Sequence, residues 1–328
     1  MLCGCVCVQC ACMKKEEIPK AGWLLFAGSY SSPDGKPMAC GYASVDGIPS
    51  VLRACTRMFM AAAGRRGLLL LFVLWMMVTV VLPASGEGGW KQNGLGIAAA
   101  VTEEERCTVE RRAHITYSEF MQHYAFLKPV ILQGLTDNSK FRALCSRENL
   151  LASFGDNVVR LSTANTYSYQ KVDLPFQEYV EQLLQPQDPA SLGNDTLYFF
   201  GDNNFTEWAS LFQHYSPPPF RLLGTTPAYS FGIAGAGSGV PFHWHGPGFS
   251  EVIYGRKRWF LYPPEKTPEF HPNKTTLAWL LEIYPSLALS ARPLECTIQA
   301  GEVLYFPDRW WHATLNLDTS VFISTFLG

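Results

Sequence analysis

The sequence predicts a mainly β fold with flanking helices, an α+β chain whose last hundred or so residues close into a double-stranded β-helix, the jelly-roll form of barrel. Two observations carry this. Residues 228–328 divide into short runs of β-branched and aromatic residues separated by Gly- and Pro-rich turns, with expected strands at 228–234, 240–245, 249–254, 257–262, 294–299, 302–306, 311–316 and 321–326. Residues 140–190 instead alternate helical and extended signals, which supplies the flanking helices.

The first 57 residues are an upstream extension. They hold Cys3, Cys5, Cys7, Cys10 and Cys12 in a tract that fits no standard zinc spacing, and no function is assigned to them. Residues 58–86 read as a signal peptide, with Arg65 and Arg66 before the apolar run 68–82 and small residues after it. Met58 or Met60 is then the expected start. If the run is not cleaved it is a signal anchor, although it is shorter than the roughly 20 residues a bilayer needs. Residues 87–106 are Gly-rich and aperiodic and are expected to form a flexible mature N-terminus, with order beginning near Cys107.

From residue 107 the domain proper is expected to run to 328, with the barrel at about 228–328. Thr116 is the expected cap of a short helix that leads through Pro129 into an apolar strand. FRALCSRENLLASFG reads as one helix ended by Gly155, NVVRLSTA as a strand and LPFQEYVEQLL as an amphipathic helix. DTLYFFGDN is a strand, FTEWASLFQHY a helix stopped by Pro217, Pro218 and Pro219, and KTTLAWLLEIYPSL a helical insert between barrel strands. Glycines 232, 235, 237 and 239 do not form a phosphate loop, because no helix follows them; a turn between two barrel strands explains them.

A formal charge of −2 and the lack of any long basic stripe exclude a nucleic-acid surface. Beyond the signal segment, Asn194, Asn204 and Asn273 each open a glycosylation sequon. Together with the signal segment they place the protein in the endoplasmic reticulum lumen or later secretory pathway. Three cysteines remain there, an odd number, and one pairing they allow is a Cys107–Cys145 bridge that would staple the N-terminal segment to the domain and leave Cys296 buried or free.

In VPFHWHGPG, His243 and His245 stand two apart on an extended segment, so both imidazoles point to one side of a sheet. His312 in the later strand can supply a third, and three imidazoles make a facial site for a divalent metal. Each histidine taken alone reads more readily as a half-buried core residue. Together with GRKRW and the late Trp310-Trp311-His312, they resemble the JmjC family of cupin-like oxygenases that use Fe(II) and 2-oxoglutarate, and the resemblance runs from about Cys107 to the C-terminus.

That resemblance implies a metal site at His243, His245 and His312 and a 2-oxoglutarate site at Lys257, Tyr198 and Thr325. Thr325 stands where the asparaginyl-hydroxylase branch has a late asparagine. The alternative for the GRKRW strand turns Arg256 or Arg258 inward and Lys257 out. The sequence departs from the family at His245, which replaces the acidic ligand, at Val240, which replaces a hydroxyl residue, and at Gly248, which replaces an asparagine. A third neutral imidazole leaves the ion its full double charge. The expectation is therefore a non-catalytic or weakly catalytic binding protein that acts through a protein partner. The alternative is an Fe(II)- and 2-oxoglutarate-dependent hydroxylase of a lumenal protein. The sequence leaves open whether the site takes both cofactors or neither.

Overall fold

The computed structural model describes residues 30–31, 37–38, 88–91, 106–167, 170–222, 224 and 226–327. The signal segment 58–86, including its apolar run, lies outside them, as does nearly all of the upstream extension. Among the described residues no helix is long and apolar enough to cross a membrane. The chain divides into two compact units, Met1–Leu82 and Pro83–Gly328. The first contributes the antiparallel pair β1 (Tyr30–Ser31) and β2 (Pro37–Met38).

The second unit begins its regular structure with β3 (Arg111–Ala113), α1 (Tyr117–His123) and β4 (Val130–Gln133). Thr116 caps α1 as expected: its hydroxyl accepts from the Glu119 backbone N–H while the Glu119 carboxylate accepts from the Thr116 N–H. The helix expected from FRALCSRENLLASFG is two, α2 (Ser139–Leu144) and α3 (Arg147–Phe154). Ser146 breaks it, because in an extended conformation its hydroxyl caps Asn149 and starts a new helix. There follow β5 (Val158–Thr163), β6 (Lys171–Pro175), the turn α4 (Phe176–Glu178) continuing as a π-helical turn, β7 (Leu197–Phe200) and the single turn α5 (Ala209–Phe212).

The barrel strands are β8 (Ala228–Ala234), β9 (Gly248–Tyr254), β10 (Arg256–Tyr262), β11 (Leu294–Gln299), β12 (Glu302–Phe306), β13 (Trp311–Asn316) and β14 (Ser320–Phe326), with α6 (Thr276–Glu282) inserted before β11. They form two sheets. One runs β3-β4-β12-β9-β14-β8-β7-β5-β6 and the other β11-β10-β13. Between them pack Val252, Leu304 and Phe306 of the large sheet and Trp259, Leu261 and Ile298 of the small one. The outer face of the large sheet is buried under α2, α3 and α4 through Phe141, Leu150 and Phe176, and that of the small sheet under α6 through Leu277 and Trp279.

The eighth expected strand, 240–245, differs. It reduces to one antiparallel bridge, His243 to His312, although Val240 and His245 also accept backbone bonds from Thr314 and Arg309. The segment can lie against β13 because residue 239 is glycine: a Cβ there would stand 1.8 Å from the Thr314 carbonyl oxygen.

Two expectations about the N-terminal part are corrected. Residues 88–91 are docked rather than flexible: Trp90 is buried, its indole N–H donates to the Cys145 carbonyl, and the Gly88 carbonyl accepts from Arg147. Burying one indole outweighs the freedom of the glycines around it. The disulfide is Cys107–Cys296, not Cys107–Cys145. The arm before β3 runs along β11, where Thr108 and Glu295 exchange hydrogen bonds and Arg106 pairs with Glu295, so Cys107 meets Cys296; Cys145 is a free thiol buried under the helices. The Cys107–Cys296 loop spans 189 residues. Cys107→Ser should therefore lower stability by about 2–5 kcal/mol in denaturant unfolding, and peptide mapping without reductant should recover the 107–296 link.

Glu251 on the outer face of β9 ties the helical layer to the barrel. Its carboxylate accepts from Asn138 Nδ2 at 3.0 and 3.2 Å and from the Tyr215 hydroxyl at 3.2 Å. Burial pushes its pKa up from 4.5 to about 7, against those hydrogen bonds. A group whose pKa is raised on folding contributes its stability below the unfolded value and loses it as the pH climbs through the folded one. Stability should thus fall between pH 5 and 8 by about 3 kcal/mol on this account, and Glu251→Gln should flatten the change in chemical denaturation at the two pH values.

Candidate metal centre

His243 and His312 face each other across the bridge: the His243 N–H donates to the His312 carbonyl at 3.1 Å and the reverse bond is 2.9 Å. His245, two residues on, turns its ring to the same side. The three rings close to centroid separations of 4.3, 4.7 and 5.4 Å, and one nitrogen of each lies within 4.8 Å of the others.

The protonation pattern suits a metal. Each Nδ1 lies 2.8–2.9 Å from a nearby backbone carbonyl, of Pro241, Gly246 and Trp310 respectively. A carbonyl only accepts, so each Nδ1 carries the proton and each Nε2 presents a bare lone pair. His245 and His312 bring these lone pairs to 3.2 Å. Two imidazole nitrogens that share a metal ion commonly stand about 3.0–3.4 Å apart, so a divalent ion would relieve this contact. Burial holds all three imidazoles below their ordinary pKa, His243 at about 4, with mutual repulsion adding for His243 and His312. Phe306 and Phe326 pack edge-on against His245 at centroid distances of 5.3 and 4.9 Å, and Trp259 lies 5.7 Å from His312.

Lys257 points into the barrel, which settles the orientation of GRKRW. Arg258 lies on the opposite face, fully buried, 2.7 Å from Glu295. The Lys257 ammonium donates to the Tyr198 hydroxyl at 3.1 Å and to Asn316 Oδ1 at 3.3 Å, and it lies 3.5 Å from the centre of the Phe322 ring. Among the described residues no carboxylate pairs with it, and burial drives its pKa well below the usual lysine range. Tyr198 is therefore next to Lys257, as the family resemblance implies.

Thr325 is not, and its assignment to the cofactor site is corrected. The inward residues of β14 are Phe322, Ser324 and Phe326, whereas Thr325 shares the outer face with Val321 and Ile323 and stands by Tyr215. One residue of offset along a strand reverses the face. The residue that occupies the place beside Lys257 is Asn316, which the sequence reading missed. It lies four residues beyond His312 on one strand, hence on the same face, and that count could have found it. Phe322 carried no comparable signal. Asn194, Asn204 and Asn273 are all exposed, with Asn204 Oδ1 accepting from the Thr206 and Glu207 N–H groups.

Fold and site together define a cupin-type barrel with a three-histidine centre at its mouth. The model for the Cupin-like domain matches residues 117–326, and the chain belongs to that family, in its JmjC branch. It is 99% identical to JmjC domain-containing protein 8 of Mus musculus over 269 residues, which cover 82% of this chain and all of that one. It is 83% identical to the protein of the same name from Homo sapiens over 261 residues, 79% of this chain and 98% of the relative. The chain is also 33% identical to Lysine-specific demethylase JMJ21 of Arabidopsis thaliana over 242 residues, 66% of this chain and 25% of that protein.

The depressed imidazole pKa values set the pH behaviour of the centre. Protons compete with a metal only once the pH nears the ligand pKa, so cobalt(II) binding should persist below pH 6.5, where ordinary imidazoles begin to protonate, and be lost as the pH approaches 4. Visible absorption of the cobalt(II) protein reads this, and His312→Ala should weaken uptake at least about tenfold.

Proposed function

We propose that this chain is a lumenal, cupin-fold binding protein of the secretory pathway that acts through a protein partner and has little or no oxygenase activity. The observation that carries the proposal is the ligand set: three neutral imidazoles converge and no carboxylate joins them among the described residues. The residues fit a divalent metal, by the inward Nε2 lone pairs. When bound, the ion supplies Lewis-acid polarisation of whatever anion or water shares the centre. The chain's own part is to hold the three Nε2 atoms in place through the Nδ1–carbonyl bonds and to keep water out with Phe306 and Phe326.

The residues present do not fit 2-oxoglutarate in the same way. The acidic ligand is missing, Thr325 faces out, and Lys257 is engaged by Tyr198, Asn316 and Phe322. The geometry supports no step through that cosubstrate. For the compartment, the Cys107–Cys296 bridge and three exposed sequon asparagines support an oxidising, glycosylating environment.

A second reading, an Fe(II)- and 2-oxoglutarate-dependent hydroxylase of a lumenal protein, is favoured by one observation: Lys257 and Tyr198 are both inward and adjacent, as the oxygenase resemblance implies. Metal analysis of the purified protein and succinate release from 2-oxoglutarate separate the two. The binding-protein reading expects no substrate-coupled succinate from wild type, and iron affinity rising at least about tenfold in His245→Asp, because a carboxylate offsets one charge of the ion. Stoichiometric iron with substrate-coupled turnover in wild type sinks it.

A further inference from the structure

The far end of the barrel from the histidines is closed by an aromatic side chain. Phe322 is 1% exposed, and its ring can approach β8 because residue 232, its cross-strand partner, is glycine: a Cβ there would come within 2.7 Å of Phe322 Cζ. Phe200 and Tyr198 wall it in at centroid distances of 5.4 and 6.2 Å. Its other side receives the Lys257 ammonium at 3.5 Å.

An ammonium has three N–H bonds to place. Lys257 Nζ has three contacts within the protein: hydrogen bonds to the Tyr198 hydroxyl and to Asn316 Oδ1, and the face of Phe322. Asn316 is held in turn, its amide donating to the Ser238 carbonyl at 2.9 Å. A carboxylate arriving at Lys257 would have to displace one of these, and the ring is packed against Phe200, Tyr198 and the β8 backbone at Gly232. The lysine end is thus satisfied by the chain itself.

Between Phe322 and the histidines the lining changes. The inward side chains of β14 read Phe322, Ser324, Phe326, with Phe326 against His245 and Ser324 in the middle. Ser324 donates to Ser250 of β9 at 3.3 Å, and both serines are buried. Two small hydroxyl residues between two phenylalanines offer polar contacts to something short.

We propose that Phe322 seals Lys257 off, so that the three-histidine centre takes a short anion bound at the metal and beside the serines, and excludes a five-carbon dicarboxylate. This rests on the binding-protein reading and adds the class of ligand. Azide is the probe for a short anion and 2-oxoglutarate the probe for a long one, each titrated into the cobalt(II) protein by visible absorption. The expected result is a response to azide and none to 2-oxoglutarate below about 1 mM. Phe322→Ala should gain 2-oxoglutarate affinity at least about tenfold, and Lys257→Met in that background should remove the gain. Phe322→Leu, which keeps an apolar plug, should exclude it still, and thermal melting of each variant checks that the fold survives.

Calorimetry of 2-oxoglutarate with the metal-free protein reads the lysine end on its own, so the role of Phe322 is tested even if cobalt is not taken up. Lys257-dependent binding of 2-oxoglutarate to wild type below about 1 mM overturns the proposal, as does a folded Phe322→Ala that gains nothing. If wild type binds 2-oxoglutarate without turnover, this inference fails and the binding-protein reading stands; if it releases substrate-coupled succinate, both fail.

Discussion

The site depends on one strip of backbone pairing. Residues 240–245 do not form a full strand, yet reciprocal bonds between His243 and His312, with Thr314 donating to Val240 and Arg309 to His245, lay the segment along β13. That pairing sets two histidines 69 residues apart in sequence, from 243 to 312, side by side. Because inward side chains recur every second residue, His245 on one segment and Thr314 and Asn316 on the other follow without further adjustment. Gly239 is the condition for it, since any side chain there would collide with the β13 backbone.

The same strands carry opposite chemistry on their two faces. On β10, Lys257 and Trp259 point into the barrel while Arg258 points out and is buried against Glu295. Glu295 also receives Arg106 and the Tyr284 hydroxyl, so a buried acid gathers the N-terminal arm, β10 and the helical insert beside the Cys107–Cys296 bridge. A buried charge is tolerable only when several donors meet it, and here they do. Lys257 has no such acid and instead rests on a hydroxyl, an amide and an aromatic face. The contrast between these neighbours is what makes the barrel interior unlike an ordinary anion site.

The centre gathers three imidazoles with no carboxylate among them in the described residues. A carboxylate would bind one coordination position tightly and lower the charge of the ion; His245 does neither, and it also fits against Phe306 and Phe326 in a way that a shorter acid would not fill. The mouth is hydrophobic around the donors and neutral in its ligands.

Much of this was legible in the sequence. Period-two alternation and turn residues placed seven barrel strands to within a residue, and the His-x-His spacing with a distant third histidine named the three histidines that the fold brings together. Inward Lys257 beside Tyr198 followed from resemblance. Local pattern alone could not choose the disulfide partner of Cys107, because the choice depends on which strand the arm runs beside, nor could it see that Trp90 anchors a glycine-rich segment. It also misassigned Thr325, since a shift of one residue along a strand turns a side chain from the interior to the outer core. Alternation, spacing and capping are properties of neighbouring residues and so belong to the sequence; which strand lies against which, which face turns inward and what fills the far end of the barrel are decided only when distant segments pack, because those contacts join residues with no relation along the chain.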